Sequence, residues 1–280
     1  MAEYTAIVLY YRAGPKIWDT VRCLRDQSVP PHKILVVDNG SNDGISSSIP
    51  PDVEVTWVES ARNLGYSAGM WLGTQQVPAT SEWILYTTHE VLLSHDCVET
   101  MLAEGTKRAA AQVGPQTRTL GTEDTWSSGG GFNWRGNSVH IRAAGSQPRE
   151  VGWLEGCCHL VRRDLARFET FHNDYFLYWD DVEISHQLST FGQIVVVPSA
   201  ICWQSTNGQP AYFGARNRIL FWKRRRRWGL VLVSVMELLA KSVIRGARPR
   251  DRGESAAILN GVADGLRGRP SPAEAGASDA

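Results

Sequence analysis

The chain has 280 residues, 29 basic against 29 acidic side chains and an apolar fraction of 42%. That length suits one large domain or two small ones, and a neutral net charge names no partner. Five cysteines (Cys23, Cys97, Cys157, Cys158, Cys202), scattered and without CxxC spacing, argue against a disulfide framework or a zinc site and for a reducing cytosol.

The opening MAEYTAIVLYYR enters a strand at once, so no signal peptide is expected, and no apolar run reaches bilayer-spanning length. TAIVLYY (5–11) is a continuous run of β-formers, the pattern of a strand covered on both faces. A helical pattern follows through Ile17, Val21 and Leu24. KILVVD (33–38) predicts a second buried strand, stopped by the turn-rich NGSNDG, and VEVTWVE (53–59) a third. Residues 66–77 read as a helix, EWILYTT (82–88) as a fourth strand, and about 94–110 as another helix. Strand and helix alternating at this spacing predict an α/β fold, a mostly parallel central sheet flanked by helices. In such sheets ligands bind at the carboxyl ends of the strands. The polar segments 12–16, 38–44 and 87–90 all fall there.

Residues 116–150 read as short strands and loops, with SSGGG at 127–131. VGWLEGCCHLVRR (151–163) resumes an apolar strand. Residues 175–192 are amphipathic, with Gly192 as a stop, and IVVVP (194–198) is another buried strand. From Gln209 to Leu266 the pattern is helical, broken at Pro249. The expected domains are 1–208, a helical extension over 209–268, and a disordered tail over 269–280.

Each polar motif carries a bland reading beside a functional one. Asp38 and Asn39 can cap a tight turn, or can hydrogen-bond a nucleobase or ribose. Asp180 and Asp181 can stabilise a helix N-terminus, or one can be a general base whose proton affinity rises between Tyr178 and Trp179. His89 is a structural histidine or, with Glu90, a ligand; hard cations prefer oxygen donors, and Glu90 supplies one carboxylate. KRRRR (223–227) before GLVLVSVMELLAK is the solvated start of a buried helix, or an interfacial helix on anionic headgroups. No nucleic-acid-binding motif accompanies it, and no GxGxxG follows the first strand as a dehydrogenase would require.

In order, these pieces resemble glycosyltransferase family 2, inverting enzymes of the GT-A fold, and within it the rhamnosyltransferase-like branch. The likeness rests on Tyr11-Arg12, VVDNGSNDG (36–44), Asn63-x-Gly65-xxx-Gly69, Gly129-Gly130, YFLYWDDVE (175–183), PSAICWQ (198–204), Arg216-Asn217 and GLRGR (265–269). It implies Asp181 as catalytic base, with Asp180 orienting the base or the acceptor. Tyr11, Arg12, Asp38, Asn39, Asn63, Gly65, Thr88, His89 and Glu90 would bind the nucleotide-sugar. Gly129, Gly130, Trp153, Gly156 and Arg216 would line the sugar or acceptor pocket. The chain departs from the family at Thr88, where an acid or amide is usual, and at Gln204, where a histidine is usual. Glu90 and Gln204 would then hold at most a weak Mg²⁺ or Mn²⁺ site, and Arg12, Arg62, Arg216, Arg218 and a protonated His89 would otherwise face the diphosphate.

The implied reaction moves a sugar from a nucleoside-diphosphate sugar, best matched to dTDP-L-rhamnose or another dTDP- or UDP-sugar. The acceptor hydroxyl would belong to a glycan, a lipid-linked glycan or a small natural product. The expected place is the cytoplasm, at the inner face of an anionic membrane, with no nucleic-acid partner. The rival is a scaffold that kept the fold and lost catalysis.

Overall fold

The computed structural model describes residues 2–143, 145–171, 174–205 and 210–269. The chain runs β1 (Tyr4–Tyr10), α1 (Ile17–Arg25), β2 (Lys33–Asp38), β3 (Thr56–Glu59), α2 (Tyr66–Thr74), β4 (Trp83–Thr88), β5 (Leu92–Leu93) and α3 (Cys97–Arg108). There follow β6 (Gln112–Thr119), β7 (Thr125–Ser127), β8 (Gly130–Phe132), β9 (Ser138–His140), β10 (Arg149–Glu150), β11 (Cys158–Arg162), α4 (Phe168–Phe171), α5 (Asp180–Leu188) and β12 (Ile194–Gln204). Three helices close the chain: α6 (Ala211–Arg224), α7 (Trp228–Gly246) and α8 (Arg252–Arg267).

A ten-stranded sheet in the order β10-β12-β6-β11-β4-β1-β2-β3 forms the centre, with β5 beside β12 and β7 beside β6. Pairs β3-β2, β2-β1, β1-β4 and β6-β12 are parallel, whereas β11 is antiparallel to β4 and β6. All seven β1 residues are buried. Tyr4, Ala6, Val8 and Tyr10 enter one core, and Ile7 and Leu9 the core on the opposite face, as alternation along a strand requires. The continuous apolar run in the sequence is thus a strand packed on both sides.

Register brings the polar strand ends to one edge. Tyr10 pairs with Asp38 and Leu9 with Thr88. Because β11 runs antiparallel, the segment before it emerges at this edge, with Cys158 opposite Thr87. Gln204 ends β12 there too, opposite Thr119.

Three boundaries differ from the sequence reading. The third strand pairs only over Thr56–Glu59 and is half-exposed, because it is the sheet edge. The strand expected over 151–163 pairs with β4 only from Cys158; residues ahead of it turn out to bridge Gly130. Helix α5 starts at Asp180, so the two acids stand in its first turn as expected, and Phe176, Tyr178 and Trp179 ahead of it hold left-handed backbone (φ 62°, 63° and 66°). The helical tail breaks at Arg225–Arg227 as well as near Pro249. The expected domain junction at 208/209 and the tail from 270 lie outside the described residues.

Candidate active site

A cavity of about 490 Å³ opens at the carboxyl edge of the sheet. Its walls join the end of β4 (Thr88, His89, Glu90), the end of β12 (Gln204), Trp153 and Glu155, His140, and Asp181. Residues as far apart as 88 and 204 in the sequence therefore meet because strand register delivers them to one edge.

Asp181 stands in the first turn of α5. Its Oδ1 accepts the Val182 amide at 2.8 Å, and the Gly156 amide also donates to it. Burial, then the nearby charge of Glu155, pushes its pKa up to about 7, against the pull of those amides and of His140. A carboxylate poised there can take a proton from an alcohol near neutral pH. Asp180 points elsewhere: it is buried off the cavity, its Oδ2 has no hydrogen-bond partner, and burial followed by the charge of Asp181 raises its pKa well above the usual range. It is thus held neutral behind the base.

The strained segment that delivers Asp181 is gripped from α6. Asn217 Nδ2 reaches the carbonyls of Tyr175 (3.0 Å), Leu177 (2.9 Å) and Tyr178 (2.9 Å). Left-handed non-glycine residues cost about 1–3 kcal/mol each and persist only where surroundings hold them. Arg216 continues the grip, donating to the Asp174 carbonyl at 2.9 Å and to the Arg269 carbonyl at 2.7 Å. The expectation that Arg216 lines the pocket is therefore corrected: it is wholly buried and ties backbone together. Arg218 is likewise buried and paired with Glu237 at 2.8 Å, so neither arginine faces a diphosphate at the sheet edge.

Gly129 and Gly130 act through Trp153 and Val151. A Cβ on Gly130 would meet the Trp153 ring at 2.1 Å, and one on Gly129 would meet Val151 at 2.9 Å. Gly130 lets the indole lie against the backbone as a cavity wall, with Nε1 donating to the Gly131 carbonyl at 3.2 Å. Gly156 is pinned between Tyr66, whose hydroxyl donates to its carbonyl at 2.5 Å, and Asp181.

At the β1 and β2 ends, Asp38 Oδ1 accepts the Ser41 amide at 2.8 Å, and Arg12 stacks over the Tyr11 ring at 5.2 Å. Asn39 is buried and its amide is taken: Nδ2 donates to Asn63 Oδ1 and the Gly65 carbonyl (3.0 Å each), and Oδ1 accepts the Leu64 amide at 3.0 Å. Asn63 Oδ1 also accepts the Gly65 amide at 2.8 Å. These three residues hold the loop before α2 against β2. Gly65 needs its conformation (φ 82°), since a Cβ there would meet the Phe176 carbonyl at 2.3 Å.

His89 Nδ1 lies 3.1 Å from the Leu9 carbonyl, and burial pushes its pKa down, which works against a charged His89 beside a diphosphate. Lys16 lies 4.0 Å from Glu90. Among the described residues no three His, Cys, Asp or Glu side chains converge as metal ligands. Glu90 and Gln204 border the same cavity, but one carboxylate beside a lysine is not a preformed centre for Mg²⁺ or Mn²⁺, which take several oxygen donors. No step below passes through a metal.

Sequence reasoning missed His140, Glu155, Trp126 and Ser138, which all border the cavity. No short-range pattern marks them; β7, the β8–β9 hairpin and the turn before β11 carry them in.

A strand-edge cleft holding a desolvated carboxylate, on a sheet of this topology, agrees with the GT-A fold that the motifs imply. The family model for Glycosyl transferase family 2 matches residues 5–168, and the chain belongs to that family. A curated relative, the N-acetylglucosaminyl-diphospho-decaprenol L-rhamnosyltransferase of Mycobacterium tuberculosis, is 26% identical over 87% of this chain and 95% of its own. Among solved structures, GalNAc-T7 with UDP, GalNAc and Mn²⁺ superposes with a TM-score of 0.65 at 14% identity, over 80% of this chain and 48% of that one. The chain thus spans about half the length of that structure. The mannosyltransferase PcManGT of Pyrobaculum calidifontis, in complex with GDP-Man and Mn²⁺, gives 0.62 at 14% identity (95% and 88% covered), and S. aureus TarS 1–349 gives 0.60 at 12% (94% and 81%). The chain is a glycosyltransferase.

Proposed function

We propose that this enzyme transfers a sugar, with inversion, from a nucleoside-diphosphate donor to a hydroxyl of a lipid-linked glycan. The observation that carries the reading is Asp181 on the wall of the same cavity as Thr88, His89 and Glu90. Asp181 takes the proton of the acceptor hydroxyl as that oxygen attacks the anomeric carbon. The nucleoside diphosphate leaves from the opposite face. Asp38, Tyr11 and Arg12 would bind the nucleoside end at the β1–β2 edge. Arg12, Arg62 and Lys16 are the cations available there for the diphosphate, whose growing charge is the main electrostatic demand of the step. Trp153 and Gly156 would bound the sugar and acceptor.

The donor best supported is dTDP-L-rhamnose, by the motif order and by the rhamnosyltransferase likeness. A lipid-linked acceptor is supported by a second cavity, of about 280 Å³, that shares Ser138 and Trp179 with the first and continues past Leu238, Lys241 and Ile258 toward α7. On α7, Trp228, Leu232, Met236, Leu239 and Val243 recur at helical spacing and are between 41% (Leu239) and 74% (Val243) exposed. Exposed Arg226 and Arg227 precede them and Arg248, Arg250 and Arg252 follow. An apolar stripe between basic ends suits the surface of an anionic membrane. Among the described residues no helix is long and apolar enough to cross one.

A thermal-shift panel of nucleotide-sugars, each with Mg²⁺, Mn²⁺ or chelator, tests the donor and the metal together. The dTDP-sugar is expected to raise Tm most. A flat panel contradicts the donor reading. Equal shifts and turnover with and without chelator remove any metal role for Glu90.

A further inference from the structure

His140 and Glu155 line the same cavity as Asp181, Glu155 being next to Gly156, whose amide donates to Asp181, and nothing in the transfer step above uses them. Their side chains are 30% and 13% exposed, and Nδ1 of His140 lies 2.7 Å from Oε1 of Glu155, close though off the line of a hydrogen bond. Both are held in place. The imidazole sits between the rings of Trp126 (5.2 Å) and Trp153 (5.1 Å). The Glu155 backbone is fixed on both sides, by the Leu154 amide on Ser185 Oγ (3.2 Å) and by Tyr66 on the Gly156 carbonyl. The Glu155 carbonyl also meets His159 Nδ1 at 3.1 Å. Such fixing is the arrangement of groups that act at a distance of one side chain, where a small shift would change the effect.

We propose that Glu155 and His140 are positioning residues that act on the reaction through Asp181: the acid strengthens the base, and the histidine limits that effect by pairing with the acid. The inference rests on Asp181 being the base. A carboxylate beside another carboxylate binds its proton more tightly, and a cation beside it binds it less tightly. A base is most effective when its proton affinity matches working pH. The titratable groups about Asp181 all bear on this. From α5 itself comes Asp180, held neutral by its burial. From the segment before β11 comes Glu155, from β9 His140, and beyond it Arg142 opposes protonation of the imidazole. Tyr66 from α2 and Tyr178 from the strained segment stay protonated, each raised by burial first and then by the two aspartates. For His140, burial disfavours the charge, but Glu155 outweighs it and the pKa rises.

The two variants must therefore move the base in opposite directions. In Glu155→Gln the acidic limb of kcat/KM shifts to lower pH by half a unit or more. In His140→Gln it shifts to higher pH, so activity at pH 6.5 falls more than at pH 8.5. The double variant lies between them. Carboxyl-carbon NMR titration of Asp181 in the three proteins reads the same shifts without turnover, which separates this inference from the assigned reaction. Glu155→Asp, which keeps the charge, is expected to keep the wild-type profile and guards against a folding defect in Glu155→Gln. Limbs that move the same way in both single variants, or in neither, overturn the proposal. So does loss of all activity in a folded Glu155→Asp protein with Asp181 titrating normally, for Glu155 would then be touching the reacting groups itself.

Discussion

At the scale of single residues, the site depends on how water is excluded from one carboxylate. Two aromatics precede Asp180 and Asp181 in the sequence, and that alone points to a desolvated acid. The structure separates the pair: Asp181 faces the cavity, and Asp180 is sealed behind it. Because the base acts only when ionised, kcat/KM is expected to rise with pH through about 7 and to fall tenfold per unit below it. A pH-rate profile with a non-titrating donor checks this; a limb near 4 would mean that Asp181 is solvated. His140 and Glu155 were not legible in the sequence, since they lie in separate strands and turns and meet only through sheet register. Asn39 shows how two readings of one residue are weighed by its contacts. An amide at a strand end suits a ribose, but here its donors and acceptor are engaged in holding the next loop.

At the scale of elements, α5 and α6 work as one unit. Asn217 closes on three carbonyls of the segment before α5, and Arg225 clasps Glu183 through paired bonds of 3.1 Å while stacking on Phe221 at 3.5 Å. Burial would raise the Glu183 pKa, yet Arg225 and its other partners lower it. This clasp therefore stabilises the fold above the ordinary carboxylate range and is lost as pH falls through the depressed value. The Arg216-Asn217 pair was visible as a motif, but sequence cannot tell whether an arginine faces a ligand or a backbone carbonyl. Asn217→Ala is expected to lose about 1–3 kcal/mol, the usual cost of an unpartnered buried polar group, and to lower kcat by at least tenfold as the left-handed segment relaxes. Chemical denaturation and kcat measured on the same protein check both; unchanged kcat in a destabilised variant would free the segment of any role in placing Asp181.

At the scale of the whole molecule, the sheet gathers the chemistry at one edge and the three closing helices present an apolar stripe to the outside. The sheet was legible because its strands are buried on both faces and read as unbroken apolar runs. The stripe was half-legible: KRRRR reads as one basic cluster, whereas Arg224 and Arg225 are engaged with Asp174 and Glu183. Only Arg226 and Arg227 of the four arginines are left for a surface. Liposome co-sedimentation tests the membrane reading. The protein is expected to pellet with anionic vesicles and not with neutral ones, and Leu232→Glu with Met236→Glu is expected to abolish pelleting while leaving turnover of a water-soluble acceptor intact. No pelleting of the intact protein, or equal pelleting of the variant, removes the membrane partner.

The whole arrangement of strand ends, glycines and gripping helix serves to set one acid against one incoming alcohol. Turnover of nucleotide-sugar by Asp181→Asn, with folding and donor binding verified by thermal shift, addresses this most directly. The expected result is a loss of 10²-fold or more in kcat with donor binding retained. Full turnover in the folded variant, or a wild-type product that keeps the donor's anomeric configuration, would contradict it.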